Sequence, residues 1–217
     1  MVFQEKNADN FIIIDGSSYL YRAFYALPNL KTSSGLNSGA IHGFANMLNR
    51  IINEYSPKHL VMVFDAKGKN FRHDIYNEYK ANRNSMPAEL SEQTGAIINL
   101  VEALGVTVIQ EKGVEADDVI ASIVRQIKIK NSRTIISSGD KDLAQLVDDN
   151  TILINNFDSK VLDVEGVKEK FGVKPSQIFD YLCLVGDTSD NIPGVPKVGP
   201  KTAVTLLEQY NDLDNII

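Results

Sequence analysis

The 217-residue chain has 43% hydrophobic and 23% charged residues, globular values that exclude a disordered or fibrous polymer. Its 28 acidic residues exceed its 22 basic ones, a net charge of −6, which taken alone argues against a partner as negative as nucleic acid. One cysteine, Cys183, excludes an internal disulfide and a cysteine-rich zinc site; His42, His59 and His73 lie far apart with no metal-ligand spacing and read as structural.

After the polar start Met1 to Asn10, the apolar stretch Phe11–Ile14 reads as a first strand and stops at Asp15. It is too short for a signal-peptide core or a membrane span, so a cytoplasmic protein with no membrane partner is expected. Apolar residues at Ile41, Phe44, Met47, Leu48, Ile51 and Ile52 predict a helix over Gly39–Tyr55, and His59–Phe64 reads as a strand. Between Ala66 and Pro87 the chain is basic, with Lys67, Lys69, Arg72, Lys80 and Arg83 against Asp74 and Glu78. A helix over Ala88–Leu104 starts at Pro87 and stops at Gly105. A strand Val106–Ile109, a helix Ala116–Ile129 and strands Thr134–Ser137 and Thr151–Ile154 complete the alternation. The fold class is α/β: a central, mostly parallel sheet flanked by helices. From Gly186 to Lys201 the chain is rich in Gly and Pro with a helical pattern on either side, which reads as two helices joined by a structured hairpin.

In an open parallel sheet, ligands bind beyond the carboxyl ends of the strands. Asp15 follows the first strand directly and Asp65 the second; Asp140 and Asp142 lie just past the fourth. Glu115, Asp117 and Asp118 open the helix after the third strand, more acid than a helix dipole needs, because adjacent carboxylates repel unless a cation lies between them. Asp187 and Asp190 lie at the edge of the hairpin. Nine acids without His or Cys select Mg²⁺, with Mn²⁺ as a substitute, and exceed what one ion can use. Two ions about 4 Å apart clamp the attacking and leaving oxygens of a phosphodiester, so the expected reaction is phosphoryl transfer to water.

Tyr79-Lys80-Ala-Asn-Arg83 would put two cations on one face if helical, in reach of the scissile phosphate, with Tyr79 available for base stacking. Arg22, about a helix turn beyond Asp15, could reach the same phosphate. The stretch Gly194 to Thr202 superficially resembles a phosphate-binding P-loop, but Pro200 interrupts the motif and no strand precedes it, which excludes an ATPase. Its Gly turn into a helix N-terminus, flanked by Lys197 and Lys201, suits a sequence-independent grip on a DNA backbone.

Asp15-Gly-Ser-Ser-Tyr-Leu-Tyr-Arg22, Val63-Phe-Asp65-Ala-Lys, Tyr79-Lys80-Ala-Asn-Arg83, Gly113-Val-Glu115-Ala-Asp117-Asp118-Val, Gly139-Asp140-Lys-Asp142-Leu and Gly186-Asp187-Thr-Ser-Asp190-Asn-Ile-Pro-Gly194 together resemble the 5′-nuclease domains of bacterial DNA polymerase I, the flap endonuclease family. The resemblance runs from Asp15 to Thr202. It implies a structure-specific, Mg²⁺-dependent nuclease that removes 5′ flaps and RNA primers in replication and repair, acting as a monomer at the nucleoid. Branched or nicked duplex DNA with a 5′ single strand and RNA–DNA primer junctions are the implied partners. Residues 1–172 would form the nuclease core, with a helical arch at about 66–87 carrying Lys80 and Arg83. Residues 173–217 would form a helix–hairpin–helix subdomain that binds the duplex through Lys197, Val198, Gly199, Pro200, Lys201 and Thr202, with Arg72 and Tyr79 contacting DNA from the arch. Main-chain oxygens of Leu184, Val185, Pro193, Val195 and Val198 would hold K⁺. Asn84-Ser85 stands where relatives carry prolines, and the chain stops at Ile217 where the family's domains continue, so it reads as a truncated piece of a chain that also carries a polymerase. The rival expectations are a non-catalytic binder of branched DNA and a single-strand ribonuclease of a related acidic α/β fold.

Overall fold

The computed structural model describes residues 10–27, 30–127, 133–158 and 160–217. Strands β1 (Asn10–Asp15), β2 (His59–Val63), β3 (Thr107–Ile109), β4 (Arg133–Ser138) and β5 (Thr151–Asn155) pair in parallel, and β6 (Val161–Leu162) adds antiparallel at one edge. The strand order is β3-β2-β1-β4-β5-β6. The order therefore reverses direction between β1 and β4, a topological switch point.

Alternation along β1 explains the layers. Ile12 and Ile14 enter one core with α1 (Gly16–Ala26), α2 (Gly39–Tyr55) and α4 (Ala88–Ala103), through Tyr19, Phe44, Leu48 and Ile97. Ile13 points to the other face and joins Val61, Val63, Ile136 and Ile120 of α5 (Ala116–Gln126). All three isoleucines are fully buried, as expected for strands covered on both faces. Between α2 and α4 lies only one short helix, α3 (Phe71–Ile75), and α6 (Val164–Phe171) follows the sheet.

The C-terminal elements are α7 (Ile178–Val185), a two-stranded hairpin of β7 (Gly186–Asp187) and β8 (Ile192–Pro193), α8 (Pro200–Tyr210) and α9 (Leu213–Ile216). This is the helix–hairpin–helix arrangement expected. Its Ile178, Leu184, Ala203 and Leu207 share one buried cluster with Ile13 and Ile136 of the sheet. Among the described residues no helix is long and apolar enough to cross a membrane.

The sequence places α2 at its observed bounds, the expected strands and the helix expected over Ala88–Leu104 shift by one residue at one or both ends, and the helix expected over Ala116–Ile129 ends at Gln126. Residues 128–129 of the helix expected over Ala116–Ile129 lie outside the described residues, as does the polar start up to residue 9. The arch segment departs from expectation: it is helical only over Phe71–Ile75, and residues 77–82 are turns. Lys80 has φ of 55°, in the left-handed region, so Lys80 and Arg83 do not share a helical face.

Candidate nuclease active site

Parallel register carries the acids together. Asp15 aligns with Val63 across β1 and β2, two residues before Asp65, and Ile14 aligns with Ser137, three before Asp140. The adjacent strands β2, β1 and β4 thus end in Asp65, Asp15 and Asp140, and α5, entered from the neighbouring β3, brings Glu115 and Asp117. Asp15, Asp65, Glu115, Asp117 and Asp140 line one cleft of about 380 Å³, with Lys80, Arg83 and Lys141 also in its wall.

Asp15 caps α1 by accepting from the Ser18 amide at 2.9 Å, and its second oxygen accepts from the Ser138 hydroxyl at 2.6 Å. Burial nevertheless pushes its carboxyl up to about 6. Asp65 accepts from the Ala116 amide at 2.8 Å, an acid held at a helix N-terminus. Asp117 is raised to about 9, first by burial and then by Asp140, Asp15, Asp65 and Glu115 around it. Such crowded carboxylates repel one another unless they are protonated or a cation lies between them. Among the described residues no three acids already stand in ligating geometry, so a cation would have to draw their oxygens inward.

A second group adjoins the first. Asp142 is raised to about 7 by burial and then by Asp140, and its Oδ1 is buried with no hydrogen-bond partner among the described residues. Asp187 is lowered to about 2: burial would raise it, but bonds from the Ser189 amide and hydroxyl and from Lys141 at 2.9 Å outweigh that. Asp190 accepts from Tyr79 at 2.9 Å and from Arg83. The all-oxygen donor set and the orphaned buried oxygen of Asp142 fit hard divalent cations.

Glu115 is held from four sides. Lys80 donates to it at 2.5 Å, Asn70 at 2.7 Å and Tyr79 at 2.8 Å, and Arg72 lies at 3.9 Å. Burial opposes ionisation, but the bonds and charges of Lys80, Tyr79 and Arg72 win and lower the Glu115 carboxyl.

Four expectations from the sequence need correction. Tyr79 is not free for base stacking: it is only 5% exposed, and its hydroxyl is committed to Glu115 and Asp190. Arg72 is not presented to DNA, because two 2.7 Å bonds join it to Asp118. Asp118, so occupied and also accepting from the Glu115 amide at 2.9 Å, is not in the lining of the cleft. Arg22 does not reach into the cleft either; it donates to the Phe157 carbonyl at 2.7 Å and stacks on that ring. In each case a partner more than thirty residues away takes the side chain.

At the hairpin, Lys197 (φ 68°) is exposed, and Gly199 caps α8 with Pro200 in its first turn and Lys201 and Thr202 exposed beside it. Val198 donates to the Val195 carbonyl at 3.0 Å. Val195 donates to Leu184 at 2.8 Å, and Gly186 pairs with Pro193, which brings Leu184, Val185, Pro193, Val195 and Val198 into one loop cluster. The sequence reading missed the hydroxyls of Ser17, Ser18 and Ser138, the cleft-lining Tyr21, Lys141 and Ser189, and Phe157. Ser17 and Ser18 had a signal, their place directly after Asp15; Phe157 had none.

The family model described as 5′-3′ exonuclease, N-terminal resolvase-like domain, matches residues 10–172, and the one described as 5′-3′ exonuclease, C-terminal SAM fold, matches residues 173–217. The chain is 52% identical over 196 residues to a DNA polymerase I of Pseudomonas aeruginosa, covering 90% of this chain and 22% of that one. It is 45% identical over 205 residues to a 5′-3′ exonuclease of Aquifex aeolicus, covering 94% of this chain and 71% of that one. Among solved structures, a bacteriophage T5 5′-exonuclease with bound zinc aligns with a TM-score of 0.79 at 22% identity, over 95% of this chain and 78% of that one. A bacteriophage T5 flap endonuclease in a pseudo-enzyme–product complex with DNA and metal ions aligns at 0.79 and 24% identity, over 95% and 77%. At those identities the structures support the fold.

Proposed function

The chain belongs to the 5′-3′ exonuclease family, a nuclease family, and from that premise we propose that it hydrolyses phosphodiesters at 5′ flaps, nicks and RNA primer junctions in replication and repair. The observation that carries this reading is the cleft in which Asp15, Asp65, Asp117 and Asp140 face Lys80 and Arg83. Mg²⁺ is the proposed cofactor, two or more ions, with Mn²⁺ able to substitute. When bound, the ions would supply Lewis-acid charge to the phosphodiester and to the water that attacks it.

Asp15, Asp65, Glu115, Asp117 and Asp140 are the proposed holders of a first ion, and Asp142, Asp187 and Asp190 of a further one. Asp118 is assigned a different task, fixing Arg72 and the entry to α5. Lys80 and Arg83 supply positive charge to the phosphate from the turns above the cleft. Lys197, Lys201 and the α8 N-terminus hold the duplex backbone without reading its sequence. The hairpin carbonyls are proposed to take K⁺. The DNA polymerase I relative, of which this chain spans 22%, supports a natural chain that also carries a polymerase; a monomer in the bacterial cytoplasm is part of the same proposal.

The test is cleavage of an end-labelled 5′-flap duplex. The wild-type chain should cut with Mg²⁺ and stop with EDTA or with Asp117→Asn. Binding without cutting under all three conditions would instead make it a non-catalytic binder of branched DNA.

A further inference from the structure

Phe157 is a large apolar side chain left 56% exposed in the wall of a strongly charged cleft. Water-facing phenyl groups forgo burial, and this one is nevertheless held in place from several sides. The Arg22 guanidinium lies 4.7 Å from the ring centroid and also donates to the Phe157 carbonyl at 2.7 Å. The ring packs on Gly139 so closely that a Cβ there would fall 2.4 Å from it, one residue before Asp140. Its backbone is pinned as well: the Phe157 amide donates to Asn155 Oδ1 at 2.7 Å, and buried Asn156 donates to Ser18 Oγ at 2.9 Å. A guanidinium on a ring, preorganised beside the acids, is a platform to which a flat aromatic ligand can add as a third layer.

We propose that Phe157, backed by Arg22, stacks on the nucleobase next to the scissile phosphate and so sets the position of the phosphodiester over the acids. The proposal rests on the nuclease reading. Stacking recognises any base, because every base offers a π-face, which suits a site that selects structure over sequence. Arg22 acts through Phe157 as a positioning residue.

The test compares Phe157→Ala, Phe157→Leu and Phe157→Tyr on Mg²⁺-dependent cleavage of a 5′-flap duplex, and on duplexes made abasic in turn at each nucleotide flanking the cut. Wild type should lose roughly tenfold in kcat/KM at one abasic position, the scale of a lost base–aromatic stack. Phe157→Ala and Phe157→Leu should lose about as much on the intact duplex and nothing further at that abasic position, while Phe157→Tyr behaves as wild type. Losses that add, or a leucine as good as phenylalanine, would overturn the stacking role while leaving the nuclease reading intact. A wild-type chain that does not cut the intact flap removes the nuclease reading, and the stacking role with it.

Discussion

Arg72 and Asp118 form a two-pronged ion pair, both bonds 2.7 Å long, that ties the basic segment before α4 to the first turn of α5. Both side chains are about 30% exposed, at 31% and 28%, and the geometry is bidentate. Such pairs are stronger than ordinary surface ion pairs. Arg72→Ala and Asp118→Ala should each lower Tm, and the double variant should fall short of the sum by a coupling of about 1–2 kcal/mol. Urea unfolding of the four chains measures it. In the flap assay Asp117→Asn should cost at least about tenfold more activity than Asp118→Asn, because only Asp117 lines the cleft. Equal losses would return Asp118 to the cation site.

The crowded acids give the metal-free chain an unusual pH dependence. Asp117 keeps its proton up to about 9, against an ordinary value of 3.8, and Asp142 and Asp15 up to about 7 and about 6. Between those limits the folded chain binds more protons than the unfolded chain, so its stability falls as pH rises. Asp187, lowered to about 2, acts oppositely; its contribution is complete above 3.8 and is lost only in acid. In EDTA, Tm should therefore decline from about pH 5 to about pH 8, and Mg²⁺ should raise Tm more at the upper end. A profile flat across that range would contradict the clustered charge.

Lys80 reaches Glu115 and lies 3.7 Å from Asp190, facing the acids rather than the outer surface. Lys80→Ala should lower single-turnover cleavage by about 10²-fold, the scale of one lost electrostatic donor, while flap binding weakens by less than about threefold. Equal losses would make Lys80 a binding residue.

Gly194 marks a close backbone approach in the hairpin: a Cβ there would lie 2.3 Å from the Val185 carbonyl carbon and 2.6 Å from the Gly186 amide nitrogen. Main chain cannot yield as a flexible side chain can, so Gly194→Ala should displace the hairpin from α7. Duplex affinity should drop more than about tenfold, with Tm falling by several degrees, in fluorescence anisotropy and thermal melts. Unchanged affinity would exclude the hairpin as the duplex grip.

Lys197 and Lys201 are exposed beside the α8 N-terminus. Each alanine substitution should weaken binding of any duplex sequence alike and reduce the slope of log affinity against log salt by about 0.9. An unchanged slope would place the DNA elsewhere.

The division between local and long-range information is visible in the same residues. Five short apolar runs, three of them leading into an acid, and the 3.6-residue spacing in Gly39–Tyr55 were enough to place β1 to β5 and α2, and with parallel register they bring Asp15, Asp65 and Asp140 to one sheet edge. The charge follows from this placement: with eight acids assigned to the cation sites, the remaining 20 of 28 are outnumbered by the 22 basic residues. A strand end is a local event that nearby residue types dictate. Where a long side chain points is a competition among partners distant in sequence, and only the tertiary structure decides it. That competition turned Arg72 to Asp118, buried Tyr79 between Glu115 and Asp190, and laid Arg22 on Phe157, 135 residues away.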